Sequence, residues 1–502
     1  MIASLFRKKP VHPLSDAHRA ERLLTAARAS ANPLETAAAA TDWLAAAAID
    51  DGLPASEVAR IGYLAHEAAL EAVRSLGRQC VGATALPPAE GPRMWTALCS
   101  FHASAAACFE AAAVRGASQP GVDLRAELPR AVVSVLRSTA AQLKWLHVAC
   151  EPIDDSLWER AYQVYALAER WGVTGARTSG IGNDERTSTP HESFARLIAF
   201  ATASPGSLRL VELQALEDLI AAAVSGFAVS PHAQPEATHW LDLAAAEAPA
   251  RLVRAPRPAA TVRYFCGSEA TDFLRALAER IEARGAIPAE FRREFDYGPT
   301  LATAMIDHLR RYCGIDAATR KGRRHRVESR LEVVWDLDEI LDRLQPDLSL
   351  SFVPDDCDQW QVEDASSCGI KAVVGGAPRR WLRVGSLVAL RVQTASRWQV
   401  GVVRRVQRLR DDRTEVALQM PPCDATTVAV RPARGASPDF GLLLDGRRSR
   451  AGLMVVARPG VVHNEPFTIV RDGAKLDLVP VAHEAGPGYQ IVRCEEAFAS
   501  AA

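Results

Sequence analysis

From about residue 15 to residue 230 the apolar positions recur at steps of three and four, the period of a helix with one buried face. Between Glu57 and Leu76 the stripe is Val58, Ile61, Leu64, Ala65, Ala68, Val73 and Leu76, and Gly77 is placed to end it. Ser156 and Glu159 have the spacing of a capping box. They open a second stripe between Trp158 and Trp171, made of Ala161, Tyr162, Tyr165 and Ala168. Breaks near 32–33, 52–54, 87–92 and 116–121 divide the text into helices of ordinary length. Alanine faces let helices approach closely, so residues 1–230 predict an antiparallel α-helical array.

The pattern then changes twice. Pro231, Pro235, Pro249, Pro256 and Pro258 break up any continuous helix, while Val262–Phe265 suits a strand and 269–284 and 299–312 suit helices. Residues 231–315 therefore predict a mixed, partly helical subdomain. After Gly314 the apolar runs become short and strand-like: Arg330–Trp335, Trp360–Val362, Ile370–Val374, Ser386–Val392, Trp398–Val406 and Thr414–Leu418. Their spacing predicts a small antiparallel β-barrel over 316–425. Further strand-like runs at 441–444, 453–457, 467–470, 476–481 and 489–493 predict a β extension over 426–502. The fold class is thus multidomain α + β. The stretch from Trp158 to Trp171 faintly resembles one tetratricopeptide unit, although the helical half shows no clean period of about 34 residues.

A chain of 502 residues is long enough for two to four domains. Its formal net charge of -1 excludes general coating of nucleic acid, DNA included, so any positive field has to be local. Ten dispersed cysteines without a CxxC pair fit reduced thiols in a cytoplasmic protein, not a disulfide frame or a zinc site. No run of 18 apolar residues occurs, so no membrane span is expected. The basic residues Arg7, Lys8 and Lys9 follow a short apolar run, the reverse of a secretion signal.

The sharpest charge concentration is Arg320-Lys321-Gly322-Arg323-Arg324-His325-Arg326, five positive charges in seven residues. About forty residues on, Asp364-Ala365-Ser366-Ser367-Cys368-Gly369 spells D-x-S-x-x-G between two strand-like runs. Guanidinium forks pair bidentately with phosphate or with guanine O6 and N7, and they stack on flat rings. A carboxylate accepts from base N–H groups, a serine adds a short hydroxyl contact, and a glycine permits close approach or an unusual backbone. The two segments read as a pocket for an anionic nucleotide.

In these motifs the chain resembles the PilZ family, small β-barrels that bind cyclic di-GMP. Arg320 and Arg324 have the family's R-x-x-x-R spacing, and Asp364, Ser366 and Gly369 match its [D/N]-x-S-x-x-G. Leu382–Val388 and Trp398–Arg405 are similar to its later strands, so the resemblance covers about 318–425. It implies a ligand site of Arg320, Arg324, Asp364, Ser366 and Gly369 supported by Arg323 and Arg326. It also implies cyclic di-GMP as ligand, with no further cofactor. A second R-x-x-x-R, Arg326 and Arg330, runs into the first strand and leaves the arginine register open. The stretch between the motifs holds an insertion, helix-like at Leu337–Leu344 and acidic at Pro354–Asp358.

The resemblance further implies an effector whose output is motility, surface attachment, biofilm or exopolysaccharide control, with the helical region as the surface for a protein partner. The alternatives are a degenerate PilZ scaffold that binds partners without nucleotide, its arginines paired with surface aspartates, and an RNA-binding barrel. No zincin motif, Walker loop, dinucleotide loop or G-x-S-x-G occurs, so neither a catalytic residue nor a metal site is expected.

Overall fold

The computed structural model describes residues 12–82, 90–118, 127–179, 187–291, 297–315, 324–344, 357–376, 379, 381–409, 411–421, 423–432, 438–446, 452–471 and 473–497. The chain forms two compact units that divide between residues 318 and 319.

The first unit opens with eight helices: α1 Ala17–Ala29, α2 Pro33–Ile49, α3 Ala55–Gly82, α4 Glu90–Ser118, α5 Leu128–Val148, α6 Asp155–Arg170, α7 Pro190–Thr202 and α8 Leu210–Ala222. Polar caps fix several starts. Asn32 accepts from the Leu34 amide with Pro33 in the first turn of α2, and Thr189 and Glu192 form a reciprocal capping box on α7. At α6 the cap is Asp154, which accepts from the Ser156 amide, so the Ser156–Glu159 box expected from the spacing is not the one used. Nor does Gly77 end α3, which continues to Gly82. The penalty of one glycine, about 1 kcal/mol, is outweighed by packing on both sides of it, at Leu76 and Cys80.

Helices α2 to α5 pack against one another around buried Leu98, Phe101, Phe109 and Leu136. At Gly62 a Cβ would lie 2.8 Å from the Phe109 ring, so α3 and α4 approach as closely as the alanine-rich faces suggest. Among the described residues one stretch, Gly91–Ser118, has the length and hydropathy to cross a membrane. Its apolar side is taken up by packing, with Leu98, Phe101, Ala105, Phe109 and Ala113 all buried. The predicted α6 stripe is buried throughout, and Tyr165 stacks on Phe194 of α7 at 3.9 Å.

Strands β1 Ala228–Ser230, β2 Ala237–Asp242, β3 Ala250–Arg251 and β4 Val262–Cys266 form a sheet in the order β1-β4-β2-β3. Helices α9 Ser268–Arg284 and α10 Pro299–Cys313 follow. The sheet is fastened to α6 by Arg263, which donates to both carboxylate oxygens of Glu169. Tyr162 adds a hydrogen bond to the Glu247 carbonyl at 2.8 Å.

The second unit consists of two closed antiparallel barrels of six strands each. The first contains β5 His325–Trp335, β6 Asp358–Ser366, β7 Gly369–Gly375, β8 Leu387–Val392, β9 Gln399–Arg408 and β10 Arg413–Gln419, in the order β10-β7-β6-β5-β8-β9. The insertion does form a helix, α11 Leu337–Leu344. The second contains β11 Asp424–Pro432, β12 Asp439–Gly446, β13 Gly452–Ala457, β14 Phe467–Arg471, β15 Ala474–Gly486 and β16 Tyr489–Glu496, in the order β11-β12-β13-β16-β15-β14. The strand-like runs expected as an extension therefore close on themselves, completed by β11, which the hydrophobic pattern did not single out.

The barrels share a core. Strand β8 is buried on both faces: Leu387 and Ala389 pack with Val400 and Val402 of β9, with α11, and with Leu442, Leu444, Val456 and Tyr489 of the second barrel. In β12 the intervening Leu443 faces the other way, into the second barrel's own core with Val455, Ile469, Leu478 and Val492. Period-two alternation thus gives each barrel one filled interior and one apolar outer face. Tyr489 also donates to the Gly385 carbonyl, 2.5 Å, and Arg458 pairs with both Asp338 of α11 and Asp439 of β12.

Candidate functional site at one mouth of the first barrel

Strand register gathers the candidate residues. His325 and Arg326 at the start of β5 lie opposite Ala365 and Asp364 near the end of β6. Ser366 pairs with Gly369 to close the β6–β7 hairpin, and Gly369 pairs with Gln419 at the end of β10. Gln399 at the start of β9 pairs with Leu390 near the end of β8. Antiparallel strands bring all these termini to one mouth, and the motif D-x-S-x-x-G is the hairpin on its rim.

Arg324, immediately before β5, donates from Nη1 to Oδ1 of Asp364 at 2.9 Å, joining the two motifs across forty residues of sequence. Its side chain is 42% exposed and that of Asp364 25%, so the pair is open to solvent. Arg326 is exposed and sits in register with Asp364. Arg320 and Arg323 lie outside the described residues. Arg330 is within β5, so the second R-x-x-x-R begins and ends in the strand.

Ser366 donates to the Gly369 carbonyl at 3.2 Å and lies 3.8 Å from the Cys368 sulfur. Its hydroxyl thus shapes the turn while remaining half-buried. Gly369 is required for close approach, not for an unusual backbone angle: a Cβ there would stand 2.9 Å from the Leu418 carbonyl. Lys371, the third residue in register with Asp364, is held by Glu363 and Glu415 at 3.0 and 2.6 Å. Those bonds, first the one to Glu415, raise its pKa, and the two carboxylates cancel its field at the mouth. Asp358, in the acidic insertion, pairs with Arg379 at 3.0 Å.

Behind the hairpin opens a cleft of about 780 Å³, bounded by Ala365, Ser366 and Ser367, by the end of α11, by 396–400, by 420–421 and by 423–426. That volume lies in the range of small-molecule sites. Trp398 lines it as well, with the guanidinium of Arg391 4.9 Å and that of Arg343 5.6 Å from its ring centroid. In the sequence, 398–405 and 337–344 stand out as structural elements only. The signal for more was the local string Ser396-Arg397-Trp398, an aromatic beside a cation at a strand start. Among the described residues no group of three His, Cys, Asp or Glu side chains could hold a metal ion.

Residues 19–236 match the family model described as "Cyclic-di-GMP receptor FimW, N-terminal domain". The chain is similar to that domain over α1 to α8 and the start of the small sheet. The match is to a receptor domain, a binding role and not a catalytic one. No curated protein matches the chain.

Proposed function

We propose that the chain is a cyclic di-GMP receptor whose ligand binds at the mouth of a PilZ-like first barrel. The observation that carries this reading is the agreement of two non-overlapping parts. The matched stretch, 19–236, is described by its similarity to a cyclic di-GMP receptor's N-terminal domain. The barrel, independently, holds Arg324 against Asp364 beside the Ser366–Gly369 hairpin. Arg324 supplies a fork for phosphate or for guanine O6 and N7, Asp364 accepts from guanine N–H groups, and Ser366 donates or accepts at the rim. Arg320, Arg323 and Arg326 complete the positive field. Ligand binding has to open the Arg324–Asp364 pair, which at this exposure costs little. The helical region is the surface for a protein partner, and the output by resemblance is motility, attachment, biofilm or exopolysaccharide control in the cytoplasm.

Calorimetric titration of the full chain with cyclic di-GMP, with GTP as control, tests the reading. Selective micromolar or tighter binding is expected. Arg324→Ala and Asp364→Ala should each weaken it at least about tenfold, since a charge-assisted contact contributes about 1.5–3 kcal/mol. No heat from the unaltered chain would leave a partner-binding scaffold, its Arg324–Asp364 pair a fixed surface bridge.

A further inference from the structure

We propose that the cleft behind the hairpin is a purine site in its own right, with Trp398 as the stacking platform and Arg397 as the grip on the adjoining phosphate. It rests on the receptor reading in that the cyclic dinucleotide, with two bases, is the occupant that spans the hairpin and the cleft.

The indole is anchored and partly open at once. It packs against the shared core, as Leu344 and Cys423 do, and it also borders the cleft. A ring fixed in this way loses little side-chain freedom when a base stacks on it. Arg391 is held by Glu332, to which both its Nε and Nη2 donate, and so it stays against the indole. Arg343, paired with Glu339 at 3.8 Å, flanks the same ring. These two cations orient the platform.

Arg397 is different. Its side chain is 74% exposed and its partner Asp424 79% exposed, at 3.5 Å, an ion pair of negligible strength. It can leave Asp424 for a phosphate. Asp342 and Asp424 also line the cleft, so an anion enters against two carboxylates. A free phosphate is therefore a poor occupant, and a base must supply the remaining attraction by stacking. Ser366 lies on both the signature hairpin and the cleft wall, which makes the two sites contiguous.

The test is calorimetric titration of the full chain and its variants with cyclic di-GMP, the linear dinucleotide pGpG and GMP, with circular dichroism to check the fold. Trp398→Ala and Arg397→Gln should each weaken cyclic di-GMP at least about tenfold. Trp398→Phe should retain most of the affinity, and Asp424→Asn should strengthen it. Arg397→Gln, on a largely exposed side chain, keeps the test valid if Trp398→Ala unfolds. Loss of binding in Arg324→Ala with unchanged affinity in Trp398→Ala and Arg397→Gln would overturn the platform and leave the receptor reading intact. Trp398-dependent binding of GMP without binding of cyclic di-GMP would uphold the platform and overturn the receptor reading. Binding of none of the three nucleotides would overturn both.

Discussion

At the scale of single residues, the site depends on a few atoms whose chemistry the sequence made visible and whose neighbours it did not. Asp364 could be singled out because an acid, a hydroxyl and a glycine at fixed spacing between strands suit a turn that faces a ligand. That its partner is Arg324 follows only from the β5–β6 register. Gly369 illustrates the same limit. Its spacing was legible, whereas the reason for it is the Leu418 carbonyl of a strand about fifty residues away. Gly369→Ala should force that contact apart and cost about 1–3 kcal/mol, read as a lowered denaturation midpoint. Ser366→Ala, which removes one half-buried hydroxyl bond, should cost less than that.

At the scale of elements, periodicity found most helices and strands because each buries one face, and it failed where another signal governs. The start of α6 is set by Asp154, not by the Ser156–Glu159 spacing, since a single favourable Asx cap two residues earlier claims the first turn. The box that does form, Thr189 with Glu192, had the same letter pattern with a proline inside it. Thr189→Ala should cost about 1 kcal/mol and lower the melting temperature of the helical unit, measurable by circular dichroism. Strand β11 does not stand out because the positions alternating with Val428 and Val430 are Ala425, Thr427, Ala429 and Arg431, Pro421 lies just before it and Pro432 is its last residue, leaving too weak an alternation. The arginine-rich segment was legible as charge alone, because sequence spacing does not specify which guanidinium reaches which partner.

At the scale of the whole molecule, buried ionisable groups in the helical unit set its response to acid. Burial pushes His66 down to about 4, His102 to about 3 and His239 to about 4, all from 6.5. Below pH 6.5 the unfolded chain takes up protons that the fold refuses, so stability falls between about pH 6.5 and 4. Each histidine contributes a slope of about 1.4 kcal/mol per pH unit. Asp218 acts in the opposite sense. Burial, then its neighbour Glu217, raises it from 3.8 to about 7, so it weakens the fold as pH climbs between those values. Burial alone would raise Glu217, but Lys144 and Arg196 hold it at about 2, and its contribution is lost only below about pH 4.5. Three histidines against one aspartate leave a net loss on acidification. Chemical denaturation at pH 7 and pH 5 should show the lower midpoint at pH 5, and Asp218→Asn should steepen the difference.

The outward faces of β8, β9, β12 and β13 bear on how such a chain can be cut and inherited. Leu387, Ala389, Val400 and Val402 are covered in part by α11 and in part by Leu442, Leu444, Val456 and Tyr489 of the second barrel. A boundary drawn after the last strand of the first barrel, where the family resemblance ends, would strip the second part of that cover and leave an adhesive surface. The smallest transferable module is therefore the barrel pair, and a gene rearrangement that moves the mouth of the first barrel has to carry the second barrel with it.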